Sequence, residues 1–319
     1  MRRALVLLPY LGALWLSAAC SSSPGEHDAG ISPSPVGGGG GDGADESAVP
    51  CGDDCLSRNE PNWPMPHPRS LPGRNAAQYE RVGKNVLERL TGLEWTSSSV
   101  GPLTHDEASN ECDSLDSEQK QDWRLPTLIE LITLLDRTRV PTIDAGFFPD
   151  TPADYFWSST PVQGNDKLAY SVYFGLGETG MGDRGQRSGY VRCVRAGKRA
   201  GAPRFSVKDG WVWDRSTGLV WQQKPAAETL SRAGAVAYCE QTEVAGARLP
   251  NEQELQTLVD TTRPPPRVDV VFSDTPSAKF WASSPPSAEP FVVDFLTGMA
   301  VIAPADDTHF VHCVADLPE

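Results

Sequence analysis

Histidine is scarce in this chain, and positive charge is in deficit. Five histidines are spread over 319 residues, and 28 lysines and arginines face 42 aspartates and glutamates, a formal net charge of −14. A surface of that sign repels polyanions, so nucleic acid is excluded as a default partner. His27 and His67 precede all repeated sequence, and His105, His309 and His312 do not recur at matching positions. No shared histidine centre for acid–base or metal chemistry can be built from them. The apolar stretch Ala4 to Ala19 covers only about 16 residues, short of the roughly 20 that span a bilayer.

What the chain does have is one sequence written twice. Thr91-Gly92-Leu93-Glu94-Trp95 returns as Thr217-Gly218-Leu219-Val220-Trp221, and Arg124-Leu125-Pro126-Thr127 as Arg248-Leu249-Pro250-Asn251. Phe156-Trp157-Ser158-Ser159 returns as Phe280-Trp281-Ala282-Ser283, and Val191-Arg192-Cys193-Val194 as Val311-His312-Cys313-Val314. The period of about 120 residues is that of a whole domain. Two domains are expected, over 80–198 and 205–319.

Ahead of them, Arg2-Arg3, the short apolar stretch and Leu16-Ser17-Ala18-Ala19-Cys20 form a secretory signal. It resembles the bacterial lipobox, which implies cleavage after residue 19 and diacylation of Cys20. Ser21 after the cysteine favours the outer membrane by the same resemblance, on its periplasmic or external face, with two acyl chains as the sole membrane contact. From 20 to 79 the chain reads as a disordered low-complexity tether, with an unbroken glycine run from Gly37 to Gly41.

Besides Cys20 there are six cysteines. Each copy owns one early and one late, so symmetry pairs Cys112 with Cys193 and Cys239 with Cys313, leaving a local Cys51–Cys55 bridge. Bridges persist in an oxidising exterior. Pairing leaves no free thiol as a nucleophile.

Within a copy the Thr-Gly turn leads into a strand with Leu93 and Trp95 on one face. Thr104 with Glu107, Thr127 with Glu130, and Asn251 with Glu254 are capping boxes opening helices. Strands follow at Phe156–Ser158, Tyr170–Phe174 and Tyr190–Val194. This order predicts an α+β domain with two helices packed on antiparallel strands.

These landmarks together resemble the collagen-like adhesin C-terminal (Lcl C-terminal) domain family of bacterial surface proteins. The resemblance spans both copies but not the tether. It implies a C-type-lectin-like fold in each and a structural role for the motif residues Arg124, Glu130, Trp157, Arg248, Glu254 and Trp281. Copy two departs from the motif at Ala247, Ala282, His312 and Ala315. The family's best-known member is implicated in adhesion and in binding sulfated glycans, and the acidity of this chain argues against a polyanion.

Several motifs have bland readings. Arg124 and Arg248 could hold a ligand carboxylate or sulfate, or pair with Asp136, Asp260 or backbone carbonyls at the helix entrance. Gly175-Leu176-Gly177-Glu178-Thr179-Gly180 fits a dinucleotide string, but a turn-rich segment follows it where a helix is required, so it reads as a hairpin tip. Glu60-Pro61-Asn62 lies in the tether, away from either domain. Asp150, Asp154, Asp166 and Asp306-Asp307 lack calcium-loop spacing and read as solvated charge. Trp211 and Trp213, without evident counterparts, suggest a ligand platform.

The expectation is a lipid-anchored envelope protein binding an extracellular glycan or cell-surface protein noncovalently, through loops between Trp157 and Cys193 and between Trp281 and Cys313. No cofactor or metal is called for. The alternative is an assembly lipoprotein docking to other envelope proteins. An enzyme on a fold like that of the formylglycine-generating enzymes lacks the extra cysteine pair such chemistry uses.

Overall fold

The computed structural model describes residues 79–89, 91–115, 122–196, 204–272, 274–283 and 289–316. Cys20, the Cys51–Cys55 pair, Glu60-Pro61-Asn62 and the tether lie outside them. Copy one opens with a meander, β1 (Tyr79–Val82), β2 (Asn85–Glu88) and β3 (Leu93–Thr96). Gly92 makes the turn into β3 possible with its positive φ of 74°. Then come β4 (Val100–Leu103), α1 (His105–Asp113), α2 (Leu128–Thr133), β5 (Tyr155–Val162), β6 (Asn165–Tyr173), β7 (Glu178–Asp183), β8 (Gly189–Val191) and β9 (Val194–Ala196).

Copy two repeats the order with β10 (Phe205–Lys208), β11 (Trp211–Asp214), β12 (Leu219–Gln222), β13 (Leu230–Ser231), α3 (Arg232–Glu240) and α4 (Glu252–Gln256). It closes with β14 (Lys279–Ala282), β15 (Phe291–Asp294), β16 (Met299–Ile302), β17 (Thr308–His309) and β18 (Val314–Asp316).

The expected α+β, C-type-lectin-like fold, with two helices packed on strands, is overturned. Among the described residues strand far outweighs helix, and the four α-helices are short, of 9, 6, 9 and 5 residues. Four blade-like sheets dominate, two per copy, in a propeller-like grouping. Sheets β1-β2-β3-β9 and β10-β11-β12-β18 are equivalent, as are β4-β8-β5-β6-β7 and the pieces β13-β17 with β14-β15-β16.

The helices start where the capping boxes place them but stop early. In copy one, the Asp136 carboxylate accepts from Thr138 N and Oγ1 at 3.0 and 2.5 Å. The helix has already ended at Thr133 with Leu134 as its C-cap, and this turn holds the chain beyond it, Asp136 N donating to Thr142 O at 2.8 Å. Asp260 and Thr262 repeat it in copy two. Cap and apolar pattern thus fix where a helix begins, and an Asp-x-Thr turn follows shortly after α2 and α4 end.

Each copy has a main core and a smaller one. Trp95 and Trp221 are buried in the main cores among Leu131, Leu134 and Phe156, or Leu255, Leu258 and Phe280. Trp157 and Trp281 fill the smaller cores against the bridges Cys112–Cys193 and Cys239–Cys313. Cys112 and Cys239 lie on α1 and α3. Cys193 and Cys313 sit between strands, where one continuous last strand was expected.

Both copies belong to one compact unit rather than two separate globules. They meet through equivalent edge strands, β7 and β16. Ala300 N donates to Thr179 Oγ1 at 2.7 Å, and Ile302 N donates to Glu178 Oε1 at 3.2 Å. The Gln253 amide caps α2 across the joint, donating to Ile132 O and Leu135 O, both at 2.9 Å. The Tyr170 hydroxyl donates to Thr297 O. In the reciprocal place Phe291 has no hydroxyl, and Arg137 lies over its ring at 3.9 Å while donating to Leu176 O and Gly177 O.

Candidate functional site

The motif arginines do not pair with Asp136 or Asp260; Arg124 NH1 reaches one of the backbone carbonyls considered, Leu125 O at 3.5 Å, but the main partner in each copy is a glutamate. Arg124 donates NH1 and NH2 to the two oxygens of Glu130 at 2.7 and 2.6 Å, and Arg248 grips Glu254 the same way at 2.7 Å twice. Glu130 and Glu254 also accept from the Thr127 and Asn251 backbone N–H groups, so one carboxylate serves cap and guanidinium together. Asp136 and Asp260 pair instead with Arg139 and Arg263, both at 2.8 Å.

Trp157 Nε1 donates to Leu103 O and Trp281 Nε1 to Leu230 O, tying each smaller core to the chain ahead of α1 or α3. Histidines unrelated in sequence meet these rings edge-on: His105 at 5.4 Å on Trp157, His309 at 4.5 Å on Trp281. Burial lowers the pKa of both, and Arg184, donating Nε to His105 Nδ1 at 3.0 Å, lowers that of His105 further. His105 Nε2 lies 3.0 Å from Ser158 O.

Arg192 and His312 are equivalent buried posts. The Arg192 guanidinium reaches Thr96 O, Ser97 O and Thr151 Oγ1, with burial lowering its pKa to about 10 against the pull of Asp150. His312 keeps two of those anchors, the equivalent Thr275 hydroxyl at 2.9 Å and Gln222 O at 3.0 Å. It stacks on Phe280 at 5.1 Å, and burial pushes its pKa down to about 4.

The copies differ most where polar side chains are costly to place. In copy one Arg195 NH2 donates to both oxygens of Glu94 at 2.7 and 2.6 Å, the guanidinium lies over Trp123 at 4.8 Å, and Asn85 donates to Glu94 at 2.8 Å. In copy two those four positions hold Ala315, Val220, Ala247 and Trp211. Trp211 and Trp213 are half-buried and do have counterparts, Asn85 and Leu87. Neither is the exposed platform considered for them.

The segment from Trp157 to Cys193, expected to present loops around strands at Tyr170–Phe174 and Tyr190–Val194, carries the longer strands β6 and β7 as well as β8, and part of it forms the joint. Its glycine string is the tip of the β6–β7 hairpin, as expected. On the outer face of these strands, away from the main core, lies a row that sequence inspection missed. Tyr173 and Tyr155, paired across β6 and β5, stand 4.9 Å apart, and Arg187 lies 4.2 Å over Tyr155. All three are half-buried. The equivalent pair in copy two is Asp294 and Lys279. Comparing the copies outside the matched landmarks would have exposed this difference.

Among the described residues no group of three or more His, Cys, Asp or Glu side chains could hold a metal. Asp150 Oδ1 accepts from Ser99 N, and Asp154 Oδ1 from Tyr155 N. A half-open, water-sized void lies at the joint among Leu128, Ile132, Gln256, Val259 and Gly298.

The family model described as the Lcl C-terminal domain matches residues 84–195 and again 210–315. No curated protein matches the chain.

Proposed function

Because the chain belongs to the Lcl C-terminal domain family, we propose that it binds a surface glycan or protein noncovalently, with copy one as the recognition module and copy two as its brace. The observation that carries this is the divergence of the copies on a common frame. Both keep the arginine–glutamate corner, the disulfide and the buried tryptophans. Only copy one keeps the Glu94–Arg195–Trp123 cluster and the tyrosine row. The fold of copy two does without them, so they are not requirements of folding.

The frame suits binding rather than bond chemistry. Its motif arginines and glutamates are locked in pairs that double as caps, and burial lowers the pKa of the histidines on the tryptophans. In this reading Cys20 carries the lipid anchor, and the protein stands in the outer membrane of a bacterial envelope, presented on the tether.

The test is a screen of the full mature chain on a glycan array and in envelope pull-downs. Saturable binding to one class, retained when copy-two surface residues are altered, is the expected result. Silence in both screens at micromolar protein would overturn the proposal.

A further inference from the structure

Six positions act together on the outer face of β5–β7. Besides Tyr155, Tyr173 and Arg187, the row needs bare backbone beneath it. A Cβ on Gly175 would stand 2.4 Å from the Tyr173 ring, and one on Gly182 would stand 2.8 Å from Arg187 Cδ. At Gly180 it would stand 3.3 Å from the Tyr155 ring. Copy two carries Leu296, Val301 and Ala303 at these places, with Lys279 and Asp294 for the tyrosines. Glycines and rings have been exchanged together, while the strands beneath stay paired alike.

The row leaves polar capacity unused. Among the described residues neither the Tyr155 nor the Tyr173 hydroxyl forms a hydrogen bond, and Arg187 donates only NH1, to Met181 O at 3.2 Å. Beside Gly180 the Ser171 hydroxyl, with the residue 2% exposed, has no partner, and its equivalent in copy two is the apolar Val292. An unpaired buried hydroxyl costs stability unless something else compensates.

We infer that Tyr173, Tyr155 and Arg187 form a subsite for an uncharged saccharide, with ring edges and guanidinium meeting sugar hydroxyls and the aromatic carbons meeting the sugar's C–H face. This rests on the reading of copy one as the recognition module. A polyanionic chain is disfavoured by the net charge of −14. A peptide side-chain anchor would need a pocket, and this row lies along the face of paired strands. Rigid rings with a hydroxyl at the tip suit a ligand that is apolar on its faces and polar at its rim.

The experiment measures binding of the mature chain to uncharged methyl glycosides and short neutral oligosaccharides, beside sulfated ones. Tyr173→Ala and Arg187→Gln should each weaken the best neutral ligand at least tenfold without moving the thermal midpoint, and Tyr173→Phe, which keeps the ring and loses only the hydroxyl, should weaken it by less than Tyr173→Ala does. Because a variant could misfold, the wild type is also treated with phenylglyoxal, and saturating saccharide should protect Arg187. Neutral-saccharide binding that survives both variants, with Arg187 unprotected, overturns the subsite and leaves the broader proposal standing. No saccharide binding beside capture of an envelope protein also overturns it. Silence in every assay removes both.

Discussion

Arg137 of the first copy and Glu252 of the second form a buried ion pair across the joint, Nε to Oε2 at 2.9 Å. Glu252 Oε1 has no partner, and burial raises the pKa of the carboxyl in spite of Arg137. Their equivalents in the other copy are Thr261 and Leu128, so the pseudo-twofold is broken by one charge pair. Removing one partner strands the other, and we expect Arg137→Ala or Glu252→Ala to cost about 3 kcal/mol in urea unfolding. The double change Arg137→Thr with Glu252→Leu, which makes the two halves alike, should cost less than either single change. A double mutant as damaged as the sum of the singles would contradict this account.

The Glu130 carboxylate serves two donors at once, so its replacements should be graded. Glu130→Ala loses the cap and strands Arg124, an expected loss of about 2 kcal/mol. Arg124→Lys keeps the charge but cannot fork, and should lose about 1 kcal/mol. Glu107 closes the same kind of box on the exposed face of α1, and Glu107→Ala should shift the denaturation midpoint less than Glu130→Ala does.

His312 sets a pH dependence whose sign is fixed. Its folded pKa of about 4 lies below the ordinary value of 6.5, so the unfolded chain takes up the proton first as pH falls. Its contribution is intact above pH 6.5 and drains away down to pH 4, amounting to about 3 kcal/mol. His312→Gln should flatten the stability profile between pH 6.5 and 4. An unchanged slope in that window would show that His312 is not the group responsible.

The two disulfides close similar loops, with sequence separations of 81 and 74. In the chain-entropy picture each is worth roughly 4 kcal/mol. Replacing Cys112 and Cys193 together by Ala, or Cys239 and Cys313, should therefore lower stability by similar amounts. Because the copies share a joint, each double variant should still unfold in one transition. Two separated transitions in calorimetry would mean that the copies melt independently.

Much of the frame was readable because it is local. Thr127 and Glu130 are three residues apart, and Trp95 follows its turn directly. The guanidinium partner was missed because Glu130 already had an explanation as a cap, whereas a carboxylate has two oxygens to give. The fold class failed for a related reason: the boxes announce where helices start but say nothing of how soon they end, at Thr133 and Gln256. The shared histidine on Trp157 and Trp281 was invisible, since His105 enters from a helix and His309 from a late strand. The joint left one trace, Gln253 and Gln256 on a buried helix face where the sister copy has Ile129 and Ile132.

Units added head to tail can be multiplied without limit, since every addition leaves a fresh end. A seam that both partners enter with the same strand is complete at two. With β7 and β16 laid against each other, a third module spliced into this chain would find no place at that seam, and a lone one would present a bare strand to the first sister it met.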